Sequence, residues 1–397
     1  MKLAELSAAP ALDASKIPLA LYVHFPWCVR KCPYCDFNSH ALRGASASDI
    51  PEDAYIDALL LDLDFELSSE LPAPRAVSSI FMGGGTPSLF SGRALARFLD
   101  GAARRLSFAA DIEITLEANP GTVDEAHFRD YRAAGINRLS LGVQSMDAVQ
   151  LKRLGRIHDP AAVVSAVAVA RRAGFDNLNL DLMFALPQQT PSEADADLAA
   201  ALALSPEHLS YYQLTLEPNT EFAAHPPPLP VDDDAWAMQE RGLQRLAAAG
   251  FTRYEVSAYA RKGRRARHNL NYWRFGDYLG IGAGAHAKIS GANGARRRAR
   301  HKHPKAYLET AGSAGMIQED RLVAREELVF EFCMNALRLD EGFAWSEFES
   351  RTGLDRALLA AALADAQARG LVRIGAAGIA PTALGLQHLN TLLTGLL

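Results

Sequence analysis

Three of the four cysteines lie within eight residues, at Cys28, Cys32 and Cys35, directly after an apolar run typical of a β-strand. This spacing offers three thiolates to one small inorganic group and provides no fourth cysteine. A structural zinc site closes its coordination shell with four protein ligands, whereas a [4Fe-4S] cluster held by three cysteines keeps one iron open to an exogenous ligand. The spacing therefore favours an iron-sulfur cluster with a reactive corner.

Two other uses of these thiols stay open. Zinc with His24 or His40 as the fourth ligand is one, although neither histidine has the pairwise spacing of structural zinc sites. A disulfide is the other, but three clustered thiols do not pair evenly and disulfides are rare in reducing compartments. The fourth cysteine, Cys333, lies in an apolar, helix-like run and is predicted to be a small core residue.

The bulk properties describe an ordinary globular chain. Its 397 residues exceed the size of a single hydrophobic core, so one large and one small domain are expected. The formal charge of −5 argues against wholesale binding of nucleic acid. No apolar run approaches the ~18 residues of a membrane span, and the N-terminus lacks a signal-peptide pattern. We expect a cytoplasmic chain, with transient attachment to the inner face of the cytoplasmic membrane left open.

Short β-branched and aromatic runs alternate with helix-like stretches from residue 18 to about residue 220. The pattern predicts a partial (β/α)6 TIM-type barrel, an α/β fold, followed by a small winged-helix-like α+β domain. The predicted strands are Leu19–Pro26, Ser78–Gly83, Glu113–Ala118, Arg138–Gln144, Asn177–Met183 and His208–Leu214, and the helices are 52–70, 92–106, 124–134, 160–173 and 191–204. The expected domains are a tail over 1–17, the barrel over 18–230, a barrel extension over 231–319 and the C-terminal domain over 320–397.

Polar residues follow the predicted strands where the active site of a parallel barrel is assembled. A Gly-Gly-Gly-Thr-Pro run follows the second strand, and Glu117, Gln144 and Asp181 end the next three, with Arg156 on a crossover. Together they offer a carboxylate, a cation and acceptors for two hydroxyl groups. That inventory suits a zwitterionic amino acid joined to a ribose.

The cysteine spacing resembles the signature of radical S-adenosylmethionine (SAM) enzymes, in which SAM binds the open iron and an electron releases a 5'-deoxyadenosyl radical. With the Gly-Gly-Gly-Thr-Pro, Glu-Ala-Asn-Pro, Gly-Val-Gln-Ser and Leu-Gly-Arg-Ile-His motifs, the chain resembles the oxygen-independent coproporphyrinogen III oxidase family along nearly its whole length. The resemblance implies a [4Fe-4S] cluster on the three cysteines. It also implies SAM contacts from Tyr22, Tyr34, Gly84, Gly85, Thr86, Glu117 (amino group), Arg156 (carboxylate), Gln144 and Asp181 (ribose).

Two departures from the oxidase pattern are visible. The oxidase carries a further cysteine where this chain has Phe37, and the chain begins only a short way before the cluster loop. Both departures match the haem-chaperone branch of the family, which implies haem as cargo and apo-haemoproteins such as respiratory cytochromes as acceptors. The branch also implies a haem donor protein, a homodimer and no nucleic acid. Oxidative decarboxylation of coproporphyrinogen stays as the alternative, and a radical SAM reaction on another substrate as a third.

The segment His268-Asn269-Leu-Asn-Tyr272-Trp273 is similar to a motif of that branch. An imidazole is a good axial ligand for haem iron, and the two aromatic residues offer flat area to a macrocycle. Nearby Arg264, Arg265 and Arg267 are candidates to pair with propionates. In the alternative, the segment plugs the barrel and His268 bonds a carbonyl, leaving His286 as the rival ligand. The basic runs 261–267 and 296–300 are either solvated surface or anion contacts.

Overall fold

The computed structural model describes residues 12–42, 47–68, 75–122 and 124–396. Most of the expected N-terminal tail, residues 1–11, lies outside the described residues, as do the last two positions of the helix predicted over 52–70. The described part of the tail forms a 3-10 turn, Ala14–Lys16, and buries Ile17 just before the first strand.

The strands form one large sheet and two small ones. Their bounds are β1 Leu19–Phe25, β2 Trp27–Cys28, β3 His40–Ala41, β4 Val77–Gly84, β5 Phe108–Ala118, β6 Arg138–Gln144, β7 Leu178–Phe184, β8 His208–Gln213, β9 Thr252–Glu255, β10 Ala258–Ala260, β11 Asp277–Ile281, β12 His286–Gly291, β13 Gly294–Arg300, β14 Ile317–Leu322, β15 Phe343–Ala344, β16 Val372–Ile374 and β17 Gly378–Pro381. Over the residues that the structure describes, the large sheet has twelve strands in the order β14-β13-β12-β11-β1-β4-β5-β6-β7-β8-β10-β9.

The helices connect the strands and flank them. Their bounds are α1 Glu52–Ser68, α2 Gly92–Ala103, α3 Glu125–Ala133, α4 Ala148–Arg153, α5 Pro160–Arg172, α6 Pro191–Ala203, α7 Glu221–Ala224, α8 Asp232–Ala248, α9 Arg267–Trp273, α10 Pro304–Thr310, α11 Arg325–Ala336, α12 Trp345–Thr352, α13 Arg356–Ala362, α14 Ala364–Ala368, α15 Ala383–Gln387 and α16 Leu389–Thr394. Local chemistry sets several starts: the Asp159 side chain caps α5, and Thr190 with Glu193 forms a capping box on α6.

The predicted α/β core is confirmed, because the six expected strands are parallel neighbours in chain order. Strand β1 is buried on both faces, as a parallel strand covered by helices must be. The pattern did not predict that β11 pairs in parallel with the other side of β1. This seventh parallel strand places residues from late in the chain beside the cysteine loop.

The segment between the barrel and the C-terminal domain contributes to both sides of the large sheet. Strands β9 and β10 continue one side, while β11 to β14 continue the other. The sequence also predicts a single strand over Thr252–Ala258; this prediction is wrong, since a turn at Val256 and Ser257 splits the segment into an antiparallel pair. Glu255 favours this turn by accepting hydrogen bonds from the Ser257 backbone and hydroxyl. Strand β14 crosses the boundary expected at residue 319/320.

The C-terminal domain is a small α+β unit, as expected. Its three-stranded sheet has the order β15-β17-β16, and helices α11 to α16 pack around it. Phe332, Phe348 and the fully buried Cys333 belong to its core, which confirms that Cys333 is a core residue. Phe275, between α9 and β11, joins the same core and so ties this domain to the wall of the sheet.

Only Arg296 of the basic run 296–300 is exposed, so most of the run is not the solvated surface that was one of its two interpretations. It lies in β13, and the Arg300 side chain is fully buried, with its guanidinium bound to Asp62 and Glu66 of α1. Arg297 pairs with Glu331 of α11 at 2.7 Å. These carboxylates come from distant segments, which is why the local sequence did not reveal the pairing. Within the described part of the chain, the structure shows no helix long and apolar enough to cross a bilayer.

Candidate functional site

The cysteine loop leaves β1 and is anchored to the glycine run after β4. The Gly85 amide donates to the Phe25 carbonyl at 2.7 Å, and the Thr86 amide donates to the Trp27 carbonyl at 2.7 Å. All three thiols are partly exposed and form no disulfide. Thr86 Oγ1 donates to Cys28 Sγ at 3.4 Å, and Arg156 Nη1 approaches Cys32 Sγ at 3.5 Å. Donors therefore surround sulfur atoms that would carry negative charge when bound to iron.

The two histidines considered as zinc ligands have other partners. The Nε2–H group of His24 donates to the Asn38 carbonyl at 2.8 Å, so its Nδ1 accepts from the Tyr22 hydroxyl, also at 2.8 Å. Burial lowers the pKa of His24 to about 4. His40 Nε2 contacts the Lys302 carbonyl at 3.2 Å. Among the described residues, no three metal-binding side chains converge on a point that would hold a single ion.

The three cysteines open onto a cavity of about 340 Å³, here called the cluster cavity. Eight of the nine residues predicted to contact SAM line it: Tyr34, Gly84, Gly85, Thr86, Glu117, Gln144, Arg156 and Asp181. The ninth, Tyr22, lines the neighbouring cavity. Three thiols with an adjoining polar cavity fit a cuboidal cluster whose open iron faces an exogenous ligand.

The glycine run forms a wall of the cluster cavity because side chains would not fit there. Gly84 has a φ of +107°, and a Cβ atom at this position would lie 2.3 Å from the His24 ring. A Cβ on Gly85 would lie 2.5 Å from the Trp27 carbonyl oxygen. Without side chains, the backbone approaches the cavity closely, and the Gly84 amide donates to Glu117 Oε2 at 3.1 Å.

Two half-buried carboxyl groups, Glu117 and Asp181, line the cluster cavity and can give it negative charge when they ionise. Burial and the nearby Asp181 raise the pKa of Glu117 to about 8, although the Gly84 amide acts in the opposite direction. Burial also raises the pKa of Asp181, which accepts hydrogen bonds from Asn179 at 2.8 Å and Ser140 at 3.2 Å. A ligand ammonium group would favour ionisation of Glu117, so the pair suits a cationic ligand.

Gln144 and Arg156 also line the cluster cavity, Gln144 with an uncommon backbone conformation and Arg156 with one guanidinium nitrogen unbonded among the described residues. Gln144 has a φ of +71°, beside a register shift between β6 and β7, and accepts from the Tyr212 hydroxyl at 2.8 Å. Such left-handed residues concentrate at ligand sites. Arg156 Nη2 donates to the Gly142 carbonyl at 2.7 Å, while its buried Nε has no partner among the described residues. This guanidinium can therefore still receive an anionic ligand group.

A second cavity of about 810 Å³, here called the aromatic cavity, adjoins the first. Its aromatic lining consists of Tyr22, Phe37, Phe81, Tyr272, Trp273, Phe275 and Tyr278. Five residues line both cavities: Phe37, Ser39, Gly84, Glu117 and Trp273. A large flat ligand in the aromatic cavity would therefore lie next to whatever the cysteines hold.

The predicted haem segment forms α9, but its residues do not all line the same cavity. Tyr272 and Trp273 line the aromatic cavity, and Asn269 lines the cluster cavity. His268 lines neither: its ring is buried, stacks on Phe81 at 4.2 Å between centroids, and binds Glu113 Oε1 through Nδ1 at 3.0 Å. Burial would raise the pKa of Glu113, but the His268 hydrogen bond, the charge of Arg138 and the Arg267 amide together lower that pKa to about 2.

The three arginines expected to pair with propionates point elsewhere. Each forms an ion pair within the chain: Arg264 with Asp176, Arg265 with Glu341 and Arg267 with Asp111. The aromatic cavity instead has Lys31, His286 and Lys302 in its lining. Phe81, Tyr278 and Lys302 were missed from the sequence. Pairing the predicted strands β1 and β4 in this register puts Phe81 beside Tyr22, and so could have indicated Phe81 as a cavity residue.

Comparisons with known proteins agree with this architecture. The sequence model of the Radical SAM superfamily matches residues 22–201, and that of the HemN C-terminal domain matches residues 323–388. The solved structure of coproporphyrinogen III oxidase (HemN) from Escherichia coli, described as a radical SAM enzyme, superposes with a TM-score of 0.79 at 24% identity, covering 99% of this chain and 97% of that one. The fold and site thus define a radical SAM protein, the class that holds a [4Fe-4S] cluster and SAM.

Closer relatives identify the family within that class. Heme chaperone HemW of Escherichia coli (strain K12) is 49% identical over 354 residues, which cover 89% of this chain and 91% of that protein. Heme chaperone HemW of Haemophilus influenzae is 51% identical over 342 residues, 85% and 87% of the two chains. Radical S-adenosyl methionine domain-containing protein 1, mitochondrial, of Bos taurus is 35% identical over 391 residues, 95% and 87%. The chain belongs to the HemW family.

Proposed function

We propose that this chain is a haem chaperone, which takes up haem in the aromatic cavity and delivers it to apo-haemoproteins such as respiratory cytochromes. One observation carries the proposal: a member of the HemW family has an aromatic-lined cavity of about 810 Å³ against its cluster cavity. That volume lies within the roughly 300–1,000 Å³ typical of cofactor pockets. The names of the relatives as heme chaperones support the same assignment.

The cluster cavity has its own role in this proposal. Cys28, Cys32 and Cys35 would hold the [4Fe-4S] cluster, which together with SAM would supply one-electron chemistry at a sulfonium centre. The polar and aromatic residues predicted to contact SAM would bind and orient it. Glu117 accepts hydrogen bonds from the ammonium group, and Arg156 pairs with the carboxylate. The ribose hydroxyls bind to Gln144 and Asp181, and the nucleotide and cluster are flanked by Tyr22 and Tyr34.

The aromatic cavity suits the two kinds of surface that haem presents. Its rings offer flat apolar area to the macrocycle, and Tyr272 packs edge-on against Tyr278 with 4.9 Å between centroids. Lys31 and Lys302 supply positive charge for propionates. In the cell, transfer takes place in the cytoplasm, with a donor protein, a homodimer and transient contact with the membrane face as parts of the same proposal.

A haem-transfer experiment tests this function. Protein reconstituted anaerobically with iron and sulfide is titrated with haem, then mixed with an apo-globin, with and without SAM. We expect saturable haem absorption followed by transfer to the acceptor. Absence of saturable binding in the reconstituted protein would refute the proposal.

Oxidative decarboxylation of coproporphyrinogen is the second candidate. It is favoured by the shared wall, because Gly84 and Glu117 would place a tetrapyrrole beside SAM. Anaerobic turnover with SAM and dithionite, assayed for protoporphyrinogen with Escherichia coli HemN as positive control, separates the two. We expect no product, since Phe37 stands where the oxidase has a further cysteine.

A further inference from the structure

We propose that His286 is the axial ligand of the haem iron in the aromatic cavity, and that Lys302 pairs with a haem propionate at its rim. This inference rests on the proposed function and assigns residues to its cargo site. His286 is the first residue of β12, directly after the turn Gly282–Ala285 that follows the seventh parallel strand. The strand therefore presents this imidazole at the cavity from a rigid element.

The His286 side chain has the properties of a free ligand. It is exposed and lines the aromatic cavity, and no hydrogen bond, ion pair or ring contact occupies it among the described residues. Partial burial lowers its pKa, and the charges of Lys302 and Arg297 act in the same direction, while the charge of Glu319 opposes them without reversing the shift. The imidazole is therefore neutral at neutral pH and keeps a lone pair for iron.

The other imidazoles near the cavity are engaged. His24 uses both ring nitrogens, on Tyr22 and Asn38, and is buried. His40 Nε2 is held by Asn38 and the Lys302 carbonyl. His268 lies behind Phe81 and is bound to Glu113, so ligation there would require the barrel interior to open. Among the histidines that line the cavity, His286 alone has no assigned contact in the described part of the chain.

The cationic side chains that line the aromatic cavity also differ in whether they already have partners. Lys288 is buried, and its ammonium group donates hydrogen bonds to the Phe275 carbonyl, Asp277 Oδ1 and Ser290 Oγ. Arg297 is paired with Glu331 and bound to Tyr278. The Lys302 ammonium is exposed, and among the described residues the structure gives it no carboxylate partner. A propionate of a macrocycle ligated by His286 would find this charge on the neighbouring segment after β13.

The test measures which side chain ligates the haem iron, rather than haem transfer. The full-length reconstituted protein and its His286→Ala and His286→Cys variants are titrated with haem and examined by absorption, electron paramagnetic resonance and resonance Raman spectroscopy. We expect His286→Ala to lose the histidine-ligated spectrum and about tenfold in haem affinity, and added imidazole to restore the spectrum. His286→Cys should give a thiolate-ligated spectrum, a positive signal that a merely structural residue would not produce.

Matched variants separate this inference from the function on which it rests. His225→Ala changes an exposed histidine outside both cavities and should match the parent, while His268→Ala tests the buried rival. If the parent binds no haem, the proposed function fails. If the parent binds haem and both His286 variants keep its ligand spectrum, the function stands and the assignment of His286 is overturned. Loss of the spectrum in His268→Ala alone would assign the iron to His268.

Discussion

The cluster cavity and the aromatic cavity share a wall but are assembled in different ways. The cluster cavity collects residues that follow consecutive parallel strands, from the cysteine loop after β1 to Asp181 on β7. The aromatic cavity joins β1 and β4 to α9, β11, β12 and the segment at Lys302, which come much later in the chain. Short motifs therefore describe the first cavity, while only the folded chain shows the second.

Their chemistry differs as much as their assembly. The cluster cavity contains half-buried carboxyl groups, an arginine whose Nε has no partner among the described residues, and a left-handed glutamine, all of which suit a small zwitterion in one orientation. The aromatic cavity has rings on its walls and cations at its rim, which suit a larger flat anion with more freedom. Under the proposed function, the chain would bind its cofactor by fixed polar contacts and its cargo by apolar area.

Cluster ligation should show the largest effect. Replacing Cys28, Cys32 or Cys35 singly by serine should remove nearly all cluster iron after anaerobic reconstitution, because the cysteine loop would then offer two thiolates instead of three. Iron and sulfide analysis with electron paramagnetic resonance measures this loss. Cys333→Ser, in the C-terminal core, is the matched control and should keep the full iron content. Equal iron in all four variants would show that the cluster lies elsewhere.

Glu117 should dominate SAM affinity and its pH dependence. Its carboxyl group has a pKa of about 8 without ligand, so binding the SAM ammonium group releases a proton below that pH. Affinity should therefore rise from pH 6 to pH 7.5, by at most about tenfold per pH unit. Glu117→Gln should weaken SAM binding about tenfold to hundredfold.

Isothermal titration of the reconstituted protein in buffers of different ionisation enthalpy measures the proton release. Glu117→Gln should abolish most of this release while cluster iron stays at the parental level. A pH-independent affinity in the parent would contradict the assignment of Glu117 to the ammonium group.

The two cavities should respond separately to variants of their unshared residues. Tyr272→Ala should weaken haem binding about tenfold and leave SAM binding unchanged, because Tyr272 lines the aromatic cavity only. Gln144→Ala should weaken SAM binding by a few-fold, about one hydrogen bond, and leave haem binding unchanged. Trp273→Ala, in the shared wall, should affect both. Parallel titrations with each ligand measure both affinities. If Tyr272→Ala or Gln144→Ala weakened the binding of both ligands, the two cavities would not be separate binding sites.

The basic residues should show the smallest effects. Lys302→Ala should weaken haem binding roughly twofold to fivefold, as an exposed ion pair does. Arg264→Ala should leave it unchanged, because Arg264 pairs with Asp176 outside the cavity lining. The same spectral titration measures both variants at two ionic strengths. A larger loss in Arg264→Ala than in Lys302→Ala would restore the propionate role first expected for the 264–267 arginines.

The sequence predicts the barrel well because each strand is a local signal. The predicted Arg138–Gln144 strand coincides with β6. Elsewhere the bounds differ: β5 begins at Phe108, not Glu113, because Phe108 pairs with Val77 before a register shift against β4. The glycine and cysteine motifs bring most SAM-site residues to one cavity for the same reason.

Long-range contacts account for what could not be predicted. A histidine in an amphipathic segment does not reveal which side it faces, so the burial of His268 against Glu113 was invisible. The burial of Arg300 depends on Asp62, 238 residues earlier in the chain. The aromatic cavity similarly needs β11 to dock beside β1 before its rings meet.

The pairing of β1 with β11 also has a consequence for biosynthesis. Residues 19–23 emerge early from the ribosome, yet their parallel partners are residues 277–281. At about 5–20 residues per second, translation separates the two by tens of seconds. During that interval one edge of an apolar strand is unpaired and prone to aggregate. The nascent chain therefore depends on shielding of this edge until residues 277–281 have been translated.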